Sequence, residues 1–449
     1  MSDRPSYDVV VAGGGIAGLA AAVSSARLGA RTLLVERYGF LGGLATAGLV
    51  NPFMTHCTST GEPLIAGFFD DLRARLAGAG GIKGNTFDSE AMKIAAQEMA
   101  LEAGVELLLH SWVTAAVVDE GTVRGVRVVN KSGEQEYSGL RVVDATGDGD
   151  VAASAGASFE IGGRDGLPQA MTMMVDVGGV DLVRVIAFVR DHPDEFRFPI
   201  LPRDADPVEL AKGVVSVAGF YDLVARARQR GDYPLPGDLV FLISRPRRGE
   251  VVFNTTHVGG VSGTDAGDLT KAEIEGRRQA AALVRFLQKY VPGFEAAFLL
   301  RMPVQIGVRE SRRIIGEYVF GADDVVHARK FPDAIARLAY PVDVHSGRGE
   351  GYTRADETPA GPVAPPPGDW YEVPFRCLVP LGVENLVVAG RCVSSTQEGL
   401  GAIRIMPCCA AMGQAAGTAA ALSITENVSP RGLASTILLP ALRSQGALV

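Results

Sequence analysis

The sequence predicts an α/β fold: a parallel sheet assembled from widely separated pieces of chain, with an α+β domain inserted between them. Three stretches carry that prediction. The first, Tyr7 to Glu36, runs from Val9-Val10-Val11 through Gly13-x-Gly15-x-x-Gly18 into an alanine-rich segment of helical period. It closes on a second apolar strand, Thr32 to Val35. The other two are Val142-Val143-Asp144-Ala145-Thr146-Gly147-Asp148-Gly149 and Leu386-Val387-Val388-Ala389-Gly390-Arg391. Both are apolar strands ending in Ala-Thr-Gly or Ala-Gly, too short for complete βαβ units. They read as parallel strands whose C-terminal ends meet at one crevice, where open α/β sheets bind ligands.

Each part of the first stretch has a mechanical reason. Gly13 permits the tight turn, Gly15 lets the backbone approach a pyrophosphate, and Gly18 lets the helix lie close on the strand. The helix N-terminus presents N–H groups and a positive dipole end to the phosphates. Glu36 can accept both ribose hydroxyls, which disfavours a 2′-phosphate. Strand, turn, helix, strand and terminal acid in this order predict dinucleotide binding. A nicotinamide dehydrogenase completes its cofactor domain in one block. This chain comes back to the same sheet near its own C-terminus and so looks like the FAD fold of glutathione-reductase type, which wraps a longer dinucleotide.

The 449 residues, 47 % hydrophobic and 21 % charged, suit a globular protein of roughly two or three domains. A net charge of −8 gives no basic surplus for nucleic acid or an anionic membrane surface. The first six residues hold no leader-like pattern. Cys57, Cys377, Cys392, Cys408 and Cys409 lack metal-type spacing, so a cytoplasmic protein with no metal is expected. Cys408 to Ile424 is apolar but short, rich in Ala and Gly, and contains Gln414, which predicts a buried helix and no membrane insertion. The expected partner is a small-molecule substrate, and a homo-oligomer is compatible with the composition.

Along the chain, residues 1–155 form the first part of the cofactor domain. They include helices near Phe68 to Leu76 and Asp88 to Ala103, and a small β-meander near 105–143 from strands Val105–Val118, Val123–Asn130 and Tyr137–Val143. Residues 156–370 form an α+β substrate domain. Its strands are Met171–Val177, Leu239–Ile243 and Val251–Thr256, with a long helix Lys271–Tyr290 capped by Asp268 or Thr270. A stiff connection rich in proline, Thr358 to Asp369, precedes the return at 371–449.

With these pieces placed, the chain resembles the FAD-dependent oxidoreductases of the glutathione-reductase-like (GR2-type) superfamily. The resemblance rests on VVVAGGGIAGLAAA, VERYGFLGGLATAG, VVDATGDGDVAASAG, GVRESRRIIGEY and AGRCVSSTQEGLGAIRIMPCCAAMGQAAGTAAA. It implies a Rossmann-like FAD-binding domain of glutathione-reductase type. Adenosine contacts are implied at Glu36 and Arg37, with Val113 beside adenine, and diphosphate contacts at Gly13, Gly15, Ile16, Ala17 and Gly43. Flavin-side contacts are implied near Ala45, Thr46, Gly147, Arg391 and Ile403, and Gly18, Gly42, Ala145, Thr146 and Gly390 join the expected cofactor-binding set. Independently of the family, Pro407 suits the first position of a helix of very small residues. That helix would pack closely on the Gly13–Leu28 helix and aim its positive end at the flavin.

The catalytic candidates come from three places. Gly307 to Arg313 is the densest charged cluster in an otherwise apolar stretch. If extended, Arg309, Ser311 and Arg313 share one face. They would form an anion clamp with Glu310 orienting one guanidinium, or an interdomain salt-bridge network. His345 could move the proton that accompanies hydride transfer, or be a core histidine. Arg404 is the third candidate. His56 and Cys57 could carry a covalent flavin link of the kind some related oxidases have, although releasable FAD is expected. Cys408-Cys409 reads as part of a tight helix start, because the CxxxxC dithiol of disulfide reductases is missing after Glu36.

The expected function is an FAD-dependent oxidoreductase moving a hydride between flavin N5 and a small polar, carboxylate-bearing substrate. Lacking a second Rossmann fingerprint, it would pass electrons to dioxygen, a quinone or a partner protein. Oxidation of a sugar or polyol is the competing substrate class. An electron-transfer subunit would ask for iron–sulfur cysteine runs, and a thiazole-forming or tRNA-modifying relative for a sacrificial cysteine or a basic surface.

Overall fold

The computed structural model describes residues 6–198, 201–351 and 363–449. The chain starts with strand β1 (Tyr7–Ala12), helix α1 (Ile16–Arg27) and strand β2 (Thr32–Val35). Helices Phe68–Gly78 and Ser89–Glu102 follow, the second capped by Asp88, whose carboxylate accepts from the Glu90 and Ala91 N–H groups. Next come β3 (Glu106–Leu108), β4 (Trp112–Asp119), β5 (Thr122–Asn130) and β6 (Gly133–Asp144). A second sheet is built from β7 (Val175–Gly178), β8 (Phe196–Phe198), β9 (Ser216–Gly219), β10 (Val240–Ser244), β11 (Val251–Phe253) and β12 (Phe298–Arg301), with the long helix α2 (Ala266–Tyr290). The chain then returns through β13 (Leu386–Val388), α3 (Gln397–Ile403) and α4 (Met406–Thr425).

The three predicted strand tips do meet. Parallel pairing runs in the order β3-β2-β1-β6-β13, and Ala12 and Val388 both lie level with Asp144. Strand β6 has two halves. Gly133–Ser138 pairs antiparallel with β5 in the meander, while Gly139–Asp144 runs parallel to β1.

Two expected elements differ. The single strand Val105–Val118 is two: β3 joins the parallel sheet beside β2, and β4 belongs to the meander. His110, at φ 53°, turns the chain between them, and an apolar period cannot reveal a left-handed residue inside the run. The long helix begins five residues earlier than expected, at Ala266, capped by Asp265, which accepts from the Asp268 N–H. Of the proline-rich connection, Pro359 and Pro362 lie outside the described residues.

Helix α4 lies directly on α1, as the small residues predict. A methyl added at Gly417 would stand 2.0 Å from the Ala21 carbonyl oxygen, and one at Gly413 2.1 Å from that of Ala17. Backbone faces backbone, so nothing can rotate aside. Gly417→Ala should therefore cost at least the ~1–3 kcal/mol of ordinary overpacking, read as a lower urea midpoint at unchanged m. A midpoint equal to wild type would refute this contact.

Two large apolar cores result. The first surrounds the parallel sheet and includes Ile314, Phe320, Ile335 and Tyr340, so the chain rejoins it well before residue 371. The second lies behind the second sheet, where Val240 and Leu242 of β10 share a core with Leu283 and Leu287 of α2. Strand alternation sends Phe241 and Ile243 to the opposite face, where they join small separate clusters. No single described helix is long and apolar enough to cross a membrane; α3 and α4 pass that test only together and are bent by 92°. Most of α4 is buried.

Candidate functional site

The C-terminal ends of β1, β6 and β13 open onto a cavity of about 690 Å³, within the usual range for small-molecule sites. Its floor is the glycine turn. Gly13 (φ 95°) faces the Ala145 carbonyl so closely that a Cβ would come within 2.5 Å of that oxygen. Gly15, Ile16 and Ala17 line the cavity at the N-terminus of α1. Gly42 and Gly43, both at positive φ, close the turn from the far side, where a Cβ on Gly43 would stand 2.8 Å from the Gly15 Cα. At Gly13 and Gly43 this cradle leaves no room for a Cβ, so backbone faces the cavity there.

Glu36 is buried at the end of β2. Its carboxylate accepts from the Gly14 N–H (2.7 Å) and the Tyr38 N–H (2.9 Å). Burial raises its pKa, and those two bonds pull it back. Arg37 lies between the Trp112 ring (5.0 Å) and the Tyr38 ring (4.9 Å), and it and Tyr38 both donate to the Gln305 side chain. Val113 lines the same end. At the other end stand Ala45, Ala145, Thr146, Gly147 and Gly390. The Asp144 carboxylate holds that turn through the Thr146 N–H (3.1 Å), the Thr146 hydroxyl (2.7 Å) and the Ala152 N–H (2.9 Å). Burial pushes Asp144 up to about 6. Arg391 donates to Asp148 (2.5 Å) and to the Val308 carbonyl (2.9 Å).

Beyond the strand tips a polar cluster lines the cavity: Arg309, Asp343, His345 and Arg404. Arg404 donates to the Asp343 carbonyl (3.0 Å) and carboxylate (3.3 Å). His345 Nε2 lies 3.4 Å from the other Asp343 oxygen. Arg309 donates to the Ala170 carbonyl (2.6 Å) and the Asn254 side chain (3.1 Å). Behind His345 stands His257, ring centroids 5.8 Å apart. Burial, reinforced by Arg309, lowers His345 to about 4 and His257 to about 3. Burial alone would raise Asp343, but the charges of His345, Arg404 and Arg309 outweigh it and hold the carboxyl well below the usual range. At neutral pH two guanidiniums therefore face one carboxylate and two neutral imidazoles, which leaves a surplus positive charge.

Four expected site residues sit elsewhere, while Gly18 has the packing role its place in the motif predicts. Gly18 packs α1 onto the turn, where a Cβ would fall 1.7 Å from the Gly13 oxygen. The Thr46 hydroxyl turns back to the Leu41 carbonyl (2.8 Å). Ile403 is wholly buried in α3, and its neighbours Arg404, Ile405 and Met406 line the cavity instead. Glu310 and Arg313 pair with each other, because the chain is irregular there and the alternating face never forms. Glu310 also accepts from the Gln169 N–H (3.0 Å) and Gln397 (2.7 Å), while Arg313 donates to the Ser395 and Gly162 carbonyls. That is an ion-pair network, not an anion clamp. His56 and Cys57 are also outside the lining, and burial pushes the lining thiol Cys409 up to about 12, far from a reactive thiolate. Among the described residues no three His, Cys, Asp or Glu gather to hold a metal.

Sequence reading missed Asp343, Asn254, Asp148, Gln305 and Phe241. Asp343, two residues before His345, was the one with a visible signal.

The thiamine thiazole synthase of Aeropyrum pernix is 36 % identical over 154 residues, 31 % of this chain and 54 % of that protein. The chain thus spans about half the length of that curated relative. A geranylgeranyl bacteriochlorophyll reductase-like structure from Thermoplasma acidophilum aligns over 94 % of this chain and 79 % of its own, at 13 % identity and a TM-score of 0.44. The flavin-dependent brominase Bmp2 aligns over 98 % and 83 %, at 13 % identity and a TM-score of 0.45. The model of one family, described as FAD dependent oxidoreductase, matches residues 8–444. The glycine cradle, Glu36 and the long cavity fit the cofactor of that family, and the chain belongs to it: an FAD-binding oxidoreductase.

Proposed function

We propose that FAD binds along the cavity in the glutathione-reductase manner and that the enzyme exchanges a hydride with a small carboxylate-bearing substrate. Gly13, Gly15, Ile16, Ala17, Gly42 and Gly43 would hold the diphosphate. Glu36 would hold the adenosine ribose, and Arg37, Val113 and Trp112 the adenine. Ala45, Ala145, Thr146, Gly147, Gly390 and Arg391 would surround the ring system. Arg391 and Arg404 each keep a buried Nε without a partner among the described residues, which suits an acceptor-rich ring edge. Bound FAD supplies a two-electron acceptor, restored by an external oxidant such as dioxygen or a quinone.

The observation that carries the substrate reading is the polar cluster. Arg309 is held in place by Ala170 and Asn254, so its guanidinium is pre-oriented to hold an anion. His345 stays neutral above about pH 4 and can take the proton that leaves a substrate hydroxyl or amine as its C–H hydride departs. Asp343 orients His345 and Arg404 together. The apolar part of the wall, Phe241 and Ile243 among it, weighs against a sugar or polyol. The test is anaerobic mixing of the yellow protein with 2-hydroxy acids, amino acids and sugars. Carboxylates should bleach the visible absorbance of the flavin, and bleaching by sugars alone would refute the reading.

A further inference from the structure

The second sheet offers the cavity a lining of one character. Ala218 of β9 and Phe241 and Ile243 of β10 face it, flanked by Leu239 and Met174. The alternate residues Val217, Val240 and Leu242 belong to the second core. One strand period therefore does two things: it anchors the sheet on α2 and paves the cavity with hydrocarbon. Among the lining residues of this sheet only Arg197 of β8 is charged, and it is exposed.

The paving adjoins the anion site directly. Asn254, which accepts from Arg309 at 3.1 Å, donates its N–H to the Phe241 carbonyl at 3.0 Å. Phe241 and Arg309 line the same cavity, so a ligand whose carboxylate reaches Arg309 has room to lay its body along Phe241. A hydroxylated body would leave hydroxyls unpaired there, roughly a tenfold loss or more for each, whereas an aromatic or branched body gains by burial.

Resting on the carboxylate reading above, we propose that the substrate is an amphipathic monocarboxylate: one anionic group at Arg309 and an aromatic or branched hydrocarbon body against Phe241, Ile243 and Met174. The test is titration of the FAD-loaded protein, followed by the flavin visible spectrum, with acetate, gluconate, phenylacetate and neutral phenylacetamide. Phenylacetate should bind roughly 10- to 100-fold more tightly than acetate or gluconate, the gain of burying one such side chain, and roughly tenfold or more over phenylacetamide, which lacks the charge that Arg309 would hold. Phe241→Ala should weaken phenylacetate about tenfold and leave acetate unchanged, the acetate response showing that the variant is folded. Acetate or gluconate matching phenylacetate would overturn the amphipathic assignment and leave the anion site standing. Phenylacetamide matching phenylacetate, or no spectral response to any carboxylate, would overturn the anion site and this inference with it.

Discussion

Asp176→Ala is expected to cost about 3–5 kcal/mol of stability, because it strands buried cations. The Asp176 carboxylate accepts from Arg245 Nε (3.0 Å) and Nη2 (2.7 Å), and from Arg301 Nε (2.7 Å). The Arg245 and Asp176 side chains are each 1 % exposed, so water cannot replace the lost partner. Arg245 also donates to the Phe87 carbonyl (3.3 Å) and the Leu49 carbonyl (3.4 Å). These bonds tie the second sheet to the loop that carries Val50 and Asn51 along the cavity wall. Asp176→Asn keeps the shape but removes the charge, and should cost most of the same amount. Urea unfolding measures both. A loss below about 1 kcal/mol in the alanine variant would place this triad with weak surface pairs. A second readout, tighter or weaker retention of FAD, follows from the tie to Leu49: retention should fall.

His345→Ala should lower kcat/KM by roughly 10²- to 10⁴-fold if the imidazole moves the substrate proton. Asp343→Asn, acting through His345 and Arg404, should cost less and shift the pH profile, which loss of packing alone would not do. An unchanged rate in the His345 variant refutes the assignment.

The same residues predict how stability varies with pH. Burial holds His345 at about 4 and His257 at about 3, against about 6.5 when unfolded. Between those values the unfolded chain binds more protons, so stability rises with pH. It is complete above about 6.5 and is lost as pH falls toward 4. Asp343, lowered by His345, Arg404 and Arg309 against its burial, acts in the same sense at still lower pH. Asp144, raised by burial to about 6, opposes them between its unfolded value and 6. Glu36, Asp150 and Glu195, raised by burial, act with Asp144, and His56, lowered by burial, acts with the two histidines. The histidine contribution, a drop in melting temperature between pH 7 and 5, is therefore read by difference. His345→Asn should flatten that drop, and a slope unaltered by it would show that His345 does not carry the effect.

The parallel sheet and its glycine turn were legible in the sequence because their reasons are local. Gly13 must take φ 95° beneath the Ala145 carbonyl, and Glu36 ends a strand whose length is set by the turn before it. The fit of α4 on α1 was equally legible, since Gly413 and Gly417 one turn apart leave a flat stripe. Thr46 and Ile403 were misplaced for a different reason. Neighbours in a short helix or turn point to opposite sides, and sequence proximity to a cofactor motif does not say which of them faces the cavity.

The sequence by itself determined the family's cofactor and the sheet that carries it, because glycine spacing and strand-end chemistry act within a few residues. Only the tertiary structure decided which charges meet. Glu310 and Arg313 share one charged run with Arg309, yet they bind each other while Arg309 turns to Asn254. A charged side chain is placed by whichever buried partner can offset its desolvation, and those partners, at positions 169, 254, 343 and 397, come from distant parts of the chain.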